Sequence, residues 1–535
     1  MIQVQYKTRT HRSGAIHAQR RHAIKALVGS PYAGARDKNS LADWFVSSGN
    51  ADASLSSLQT LRNRSRDLFR NSPAAKGAIK KLLSGIIGKG LRLQSSIDRD
   101  FLHMSESESQ EWQEKTQQEF RIWAESPDCD YMRQLNFFGL QRLAYKSKLM
   151  GGDTFVLLPY KERPMMPYDL RVQLIEADRI CNPDNVPDTP TIAGGIERDE
   201  NGIPIAIYIR TPHPGATLFN AGNIAPKWQR VPFYGRKTGR QNVIQLIDID
   251  RIDQSRGEPI LTTVIEPLKQ ISKYSEAELS AAVINAMLSV AIKRPADDPL
   301  AGDTGNYDEN GNPVPQPWDD PENYHLGTGS WIELAPGQEL QTITANRPSS
   351  QYDPFFLACM KQIGMALGIP FEVLISHFSA SYSASRAAML EFHESVIIYR
   401  DEFCDSFCQP IYNEFLMEAV IKGRITAPGF LTNPAIRLAY SGAYWVGAGL
   451  KQLDEVKETT AAAMRIEKGF STIQHEASKL TGLDYKDIVR QRAEEKRLAS
   501  EHGLSNEYDL AYNRLNGNNG TITPENGSQG GNNGR

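Results

Sequence analysis

The stretch Ala384–Ile421, ASRAAMLEFHESVIIYRDEFCDSFCQPIYNEFLMEAVI, decides the architecture. Phe392, Val396, Tyr399, Phe403, Phe407, Ile411 and Phe415 recur every three or four residues, the period of one helical face. At 1.5 Å per residue a single helix here is roughly 57 Å long, with Pro410 as the expected kink. A helix of that length suits an elongated subunit of an assembly better than a compact enzyme domain.

Working outward, a polar segment, Ser376 to Arg386, precedes this helix, and a shorter helical pattern precedes that segment. The shorter pattern runs from Gln351 to Leu367, carries Phe356, Met360, Ile363 and Leu367 on one stripe, and stops at Gly368-Ile369-Pro370. Pro259 to Ile292 also reads as mostly helical, with Pro267 at a start or kink. Residues 295–330 break the pattern with six prolines, eight acids and no Lys or Arg, which predicts an exposed, turn-rich insertion. Trp331 to Leu334 and Glu339 to Ile343 read as strands around Pro336-Gly337.

Further upstream, Thr154 to Leu158, Val172 to Ile175, Ile192 to Glu197, Ile203 to Ile209 and Val243 to Ile249 form a strand block, with a hairpin at Asn201-Gly202. Before it, Ser105 and Glu108 make a capping box for a helix carrying Trp112, Phe120 and Trp123. Ala53 to Leu83 is helical and restarts at Pro73. Downstream of the long helix, Ala435 to Ala439 reads as a strand. Three short helices then follow at about Leu450 to Lys468, Thr472 to Leu480 and Tyr485 to His502. Gly469 and Gly482 are their stops, and Ser471 with Gln474 is a capping box. Residues 1–40 read as a loosely ordered arm. The last 20 residues hold six Asn and six Gly and read as a disordered tail, so truncation after Asn513 is expected to leave folding intact.

Composition narrows the classes. The chain has 535 residues, 40% hydrophobic and 23% charged, as in a soluble protein of two to four folding units. Its longest mostly apolar run, Ala281 to Ile292, is too short to span a bilayer, and Met1 to Ser13 has no apolar stretch behind it, so neither a membrane nor a secretory route is expected. Five dispersed cysteines do not make a disulfide framework. The net charge of −3 hides an asymmetry: residues 1–92 carry 17 Lys and Arg against four acids. A basic arm on an acidic body suits nucleic acid or an acidic protein neighbour, and Arg62, Arg64, Arg66, Arg70, Lys76, Lys80 and Lys81 are the densest part of it.

Catalytic patterns are sparse. The string Gly85 to Gly90 lacks the spacing and hydroxyl of a phosphate loop. His393-Glu394 has no second His four positions on and reads as solvated helix surface. Cys404 and Cys408 stand at i, i+4 and read as buried structural thiols. Gly151-Gly152-Asp153 reads as the turn before a strand. Asp248, Asp250 and Asp253 cluster at a strand end; they read as a polar edge, or in the alternative as the metal ligands of a nucleic-acid-processing enzyme. No cofactor is expected. Ser376, His377, Ser379, Ser381, Tyr382, Ser383 and Arg386 are the most informative group. Such a hydroxyl-rich loop with one terminal cation can touch phosphates without gripping them, or can be a plain helix connection capped by Ser383 or Ser385.

Several stretches, taken in order, resemble the portal proteins of lambda-type tailed bacteriophages. They are Asp253 to Pro259 (DQSRGEP), Ala277 to Ala286 (AELSAAVINA), Ala366 to Leu374 (ALGIPFEVL), Ser381 to Ala387 (SYSASRA), Trp445 to Gly449 (WVGAG), Asp454 to Glu458 (DEVKE) and Ile466 to Thr472 (IEKGFST). The resemblance implies an α+β, elongated subunit of a ring, usually a dodecamer, at one vertex of a virus head, and no enzymatic activity. It implies a wing over 41–258, stem helices over 259–293 and 351–370, and a clip over 294–350. A tunnel loop over 371–386, a spine helix returning to the wing over 387–448 and a crown over 449–510 complete the subunit. Ser376 to Arg386 would then face double-stranded DNA passing through, and Trp318, Asp319, Asp320 and Tyr324 would offer a clip surface. Terminase, major capsid and scaffold proteins and head-completion adaptors are the implied partners, in the virion and, during assembly, in the host cytoplasm. A monomeric scaffold is the remaining alternative.

Overall fold

The computed structural model describes residues 49–215, 225–286, 290–293, 308–310, 339–342, 352–377, 382–447, 449, 455–482 and 485–503. Two compact units divide at Ala53, and every element below lies in the second, Ser54–Arg535. The expected arm, most of the insertion 295–330, Trp331 to Leu334 and the tail lie outside the described residues. The fold mixes helices with small antiparallel sheets.

Helices α1 (Leu55–Asn71) and α2 (Pro73–Ile86) come first, and the Ser72 hydroxyl accepts from the Ala75 N–H to cap α2, with Pro73 in its first turn. A short strand, β1 (Arg92–Ser95), leads to α3 (Glu106–Glu125), whose Ser105–Glu108 capping box is formed. After α4 (Phe137–Gly151) the strand block begins with β2 (Asp153–Leu157) and β3 (Gln173–Glu176). The Ile192 to Glu197 segment, read as one strand, is two: β4 (Ile192–Ala193) and β5 (Ile196–Arg198). Gly194 and Gly195, both at positive φ, fold it into a tight hairpin that no side-chain-bearing residue makes cheaply. Strands β6 (Pro204–Thr211), β7 (Lys227–Pro232) and β8 (Val243–Ile247) complete two sheets, ordered β3-β2-β8 and β4-β5-β6-β7. Phe155, Ile175, Ile196, Ile207, Ile209 and Val243 form a separate small core in this block.

Helix α5 (Ile265–Ala286) is shorter than its pattern suggested. Val290–Lys293 forms strand β9, paired with β10 (Glu339–Thr342), where a continuous helix was expected. Val290 and Ile292, both β-branched, favour extended backbone there. Helices α6 (Tyr352–Ala366) and α7 (Phe371–Ile375) precede the long helix.

That helix comprises α8 (Tyr382–Phe403), a π-helical turn at Cys404–Cys408 and α9 (Gln409–Ile421). Pro410 has no N–H for the Ser406 carbonyl and its ring would crowd it; the wider π turn absorbs both problems. Ala435 to Ala439, expected as a strand, is helix α10 (Pro434–Tyr440), because Asn433 caps the Ala435 N–H and Pro434 fits the first turn. The strand falls three residues later, β11 (Ala443–Val446), paired with β1. Helices α11 (Glu455–Glu467), α12 (Ile473–Thr481) and α13 (Tyr485–Glu501) end the described chain. Thr472, not Ser471, caps α12.

The main core gathers where α3 and α4 cross the π turn and α9. Phe120 meets Phe415 edge-on at 5.1 Å, and Phe137 stacks on Phe407 at 5.9 Å. Burying each such ring contributes about 1.5–3 kcal/mol. From Phe403 to Phe415 the stripe read from the sequence is therefore the seam on which the first third of the chain packs, whereas Tyr399 is exposed and Phe392 only partly buried.

Candidate functional site

The polar segment is held at both described ends. Ser376 closes α7 in the left-handed conformation, and the Lys81 ammonium on α2 donates to its hydroxyl at 2.7 Å. Arg386, in the first turns of α8, donates to Glu458 on α11 at 2.5 Å. The sequence-derived candidates Lys81 and Ser376, 295 residues apart, thus come together, while the cation of Arg386 is balanced by a C-terminal helix. His377 is exposed and Ser385 is buried. Ser383 and Tyr382 open α8; Ser379 and Ser381 lie outside the described residues, as do Trp318, Asp319, Asp320 and Tyr324.

Behind the segment, Arg400 fixes α8 to α2 by donating to the carbonyls of Ile86 and Gly85 at 2.9 and 2.8 Å. Those are end-of-helix acceptors that otherwise lack partners. His393, read as solvated, is half-buried instead. Burial first, and then the charges of Arg400 and Lys479, lower its pKa to about 4. Cys404 and Cys408 are buried inside the aromatic seam, and burial pushes the Cys408 thiol up.

The basic helices divide into two sets. Arg64, Arg70, Lys76 and Lys80 are exposed. Arg62 is not a surface contact: it donates to the Gly151 carbonyl at 2.7 Å and to Asp153 at 2.9 Å. Arg66 pairs with Asp178 and Glu176. Burial and the neighbouring Arg256 lower the Arg62 pKa to about 10. Burial would raise the Asp178 carboxyl, but the hydrogen bond and charge of Arg66, with the charge of Arg62, hold it below the ordinary value.

This network explains the Asp253 to Pro259 motif. Arg256 is buried with all five guanidinium N–H groups used: two on Asp153, three on the carbonyls of Ala177, Ile180 and Gly194. One side chain thereby joins β2, the turn after β3 and the β4–β5 hairpin. Gly257 follows because its backbone lies against Gly152; a Cβ there would sit 2.1 Å from the Gly152 carbonyl oxygen. Asp153 was legible only as part of a turn, and its role as the anion of this network was missed.

The three aspartates do not form a metal centre. Asp248 pairs with the buried Lys148, and Asp250 and Asp253 are exposed. Among the described residues, the group with mutually close ligand atoms is Glu176, Asp178 and His213, and Arg66 already occupies both of its carboxylates. The metal-enzyme alternative has no geometric support. No described helix is long and apolar enough to cross a membrane.

Comparison with known proteins shows what the chain resembles. The chain is 25% identical over 472 residues to portal protein B of Escherichia phage lambda, covering 85% of this chain and 87% of that one. It is 25% identical over 484 residues to the portal protein of Escherichia phage N15, covering 87% and 89%. A chain from the virion of a native gene transfer agent particle superimposes with a TM-score of 0.43 at 13% identity, covering 86% of this chain and 99% of that one. The model of the lambda family of phage portal proteins matches residues 37–400, which include the Arg256 network, the polar segment and the first half of the long helix, and the chain belongs to that family.

Proposed function

We propose that copies of this chain form a ring, a dodecamer, at one vertex of a virus head, through which double-stranded DNA is packaged and later released. The family match across residues 37–400 carries this reading. In it, the helices and sheets up to residue 258 form the wing, α5 and α6 the stem, 294–350 the clip, α8 through α9 the spine, and α11 to α13 the crown. The segment Ser376 to Arg386 faces the channel. The balanced charge of Arg386 supports this assignment, because a loop that presents hydroxyls lets DNA slide where unpaired cations would hold it. Terminase and head-completion adaptors dock at the clip, and coat and scaffold proteins meet the wing, first in the host cytoplasm and finally in the virion.

The test is negative-stain electron microscopy of the purified chain with light-scattering mass, alone and mixed with coat and scaffold proteins. Rings with a central hole are expected. A chain that stays monomeric under all of these conditions overturns the proposal.

A further inference from the structure

The loop between Pro159 and Arg171 presents one side chain in an unusual way. Met165 is 96% exposed and sits at φ +65°, a left-handed conformation that costs a residue with a side chain about 1–2 kcal/mol. Its surroundings are rigid. Arg163, two residues earlier, is buried and donates to the backbone carbonyls of Asp128, Asp130 and Tyr131. Glu418 on α9 accepts the N–H groups of Asp169 and Leu170, and Lys422 donates to the Pro167 carbonyl. A strained backbone, a fixed base and an apolar tip left in water together describe a knob shaped for contact.

The same wing carries a hole. A cleft of about 50 Å³ has an apolar wall of Leu93 of β1, Phe120 and Ala124 of α3, Phe138 of α4 and Val446 of β11, and a polar wall of Arg92, Gln94, Gln117, Arg121, Glu125 and, from α13, Asp487. That volume suits the end of a methionine side chain, whose unbranched thioether adapts to irregular gaps. Knob and hole lie on opposite flanks of α3. Glu119 and Trp123 face the Met165 loop, through Tyr168 and the Leu170 carbonyl, whereas Gln117, Arg121 and Ala124 face the cleft. At about 100° per residue these two sets point roughly opposite ways around the helix. A knob on one flank and a hole on the other is what a head-to-tail contact between identical copies needs, and such contacts form a ring where the rotation between neighbours closes.

We infer that Met165 of each copy inserts into the Leu93–Phe120–Phe138–Val446 cleft of its neighbour and is an adhesive contact of the wing. The inference rests on the ring reading above. It is tested in the full chain with Met165→Cys and Glu125→Cys combined, under mild oxidation. Rings should yield a ladder of covalent oligomers on a non-reducing gel, and neither single variant should. In parallel, Met165→Gly removes the knob and relieves the left-handed strain. It should keep or raise the melting temperature of the free subunit while raising the concentration for half-assembly at least about tenfold, from the 1.5–3 kcal/mol that burying a methionine contributes. Met165→Leu should assemble as the wild type. If wild-type rings form, Met165→Gly assembles at the same concentration and no ladder appears, this contact is wrong and the ring reading stands. If the wild type forms no rings with coat and scaffold present, the reading beneath fails and takes this contact with it.

Discussion

Arg256 and Asp153, 103 positions apart, are joined in the interior by two hydrogen bonds, Nε to Oδ2 at 2.5 Å and Nη2 to Oδ1 at 3.0 Å. Asp153 also takes Arg62, so one carboxylate answers two buried guanidinium groups. Removing it leaves Arg256 without a carboxylate among the described residues and Arg62 with Asp178 alone, 3.8 Å away, and breaking a buried pair in this way costs about 3–5 kcal/mol. Asp153→Ala should therefore lower the thermal midpoint sharply or abolish soluble expression. Arg121→Ala, which removes a half-exposed partner 3.9 Å from Asp487, should cost about 0–1 kcal/mol. Equal midpoints for the two variants, read by differential scanning calorimetry, contradict the assignment of Asp153 as the anchor.

Gly257 makes a second prediction on the same motif. Its missing side chain is required by backbone, not by a flexible neighbour, since the atom in the way is the Gly152 carbonyl oxygen. Gly257→Ala should displace β2 from the turn that carries Arg256 and destabilise the chain by at least about 1–3 kcal/mol. Gly202→Ala, where no atom lies within 4 Å, meets only the cost of its left-handed φ and should lose about 1–2 kcal/mol. Chemical denaturation of the two variants separates the close-contact cost from the conformational one.

The contrast between the long helix and these charges shows what a sequence carries. Phe392 to Phe415 repeat at a local period, so the helix was readable, and its buried face with it from Phe403 onward, while Tyr399 of the same stripe is exposed. The Ser105–Glu108 capping box and Pro73 were readable for the same reason, whereas the cap expected at Ser471 with Gln474 falls on Thr472 instead. Arg62 looked like its exposed neighbours Arg64 and Arg70 because the partners that bury it stand about 90 positions away. Local pattern does not reveal a partner at that separation. The π turn at Cys404–Cys408 was equally hidden: Pro410 announces a disturbance but does not say whether the helix bends or widens. At the polar segment, residue type singled out Ser376, Arg386 and, separately, Lys81, while the pairing of Lys81 with Ser376 and the partner Glu458 came only from the fold.

Asp250 and Asp253 should behave as surface acids, whereas Asp248 also balances the buried Lys148. Replacing all three with Asn should therefore lower the melting temperature through the loss of that one partner, and adding magnesium or manganese at about 5 mM, well above a typical weak site, should shift the midpoint of neither protein. Assays of the wild type with those ions should show no cleavage of duplex DNA. Metal-dependent cleavage that disappears in the triple variant revives the enzyme reading.

For the polar segment, replacing Ser379, Ser381 and Ser383 with Ala should leave ring assembly unchanged and impair DNA packaging or retention, measured as the filled-head fraction. Lys81→Ala removes the tether to Ser376 while leaving those hydroxyls in place. As an exposed contact it should cost the fold about 0–1 kcal/mol. A serine triple variant that loses rings makes the segment a structural connection.

His393 supplies the pH dependence. Its folded pKa of about 4 lies below the ordinary 6.5, because burial and the nearby Arg400 and Lys479 oppose a further positive charge. Between these values the unfolded chain binds a proton that the folded chain refuses, so stability falls as pH drops from about 6.5 towards 4. The full linkage is reduced because the imidazole is only half-buried, which leaves about 1–2 kcal/mol of acid destabilisation from this residue. Glu476 acts in a lower window. Its hydrogen bonds to Arg465 place it at about 2, and its contribution is present above the unfolded carboxylate value and lost as pH falls from about 4.5 towards 2. Melting temperatures measured from pH 7 to pH 4.5 should therefore decline in the wild type and decline less in His393→Gln. Parallel curves for the two proteins place the titrating group elsewhere.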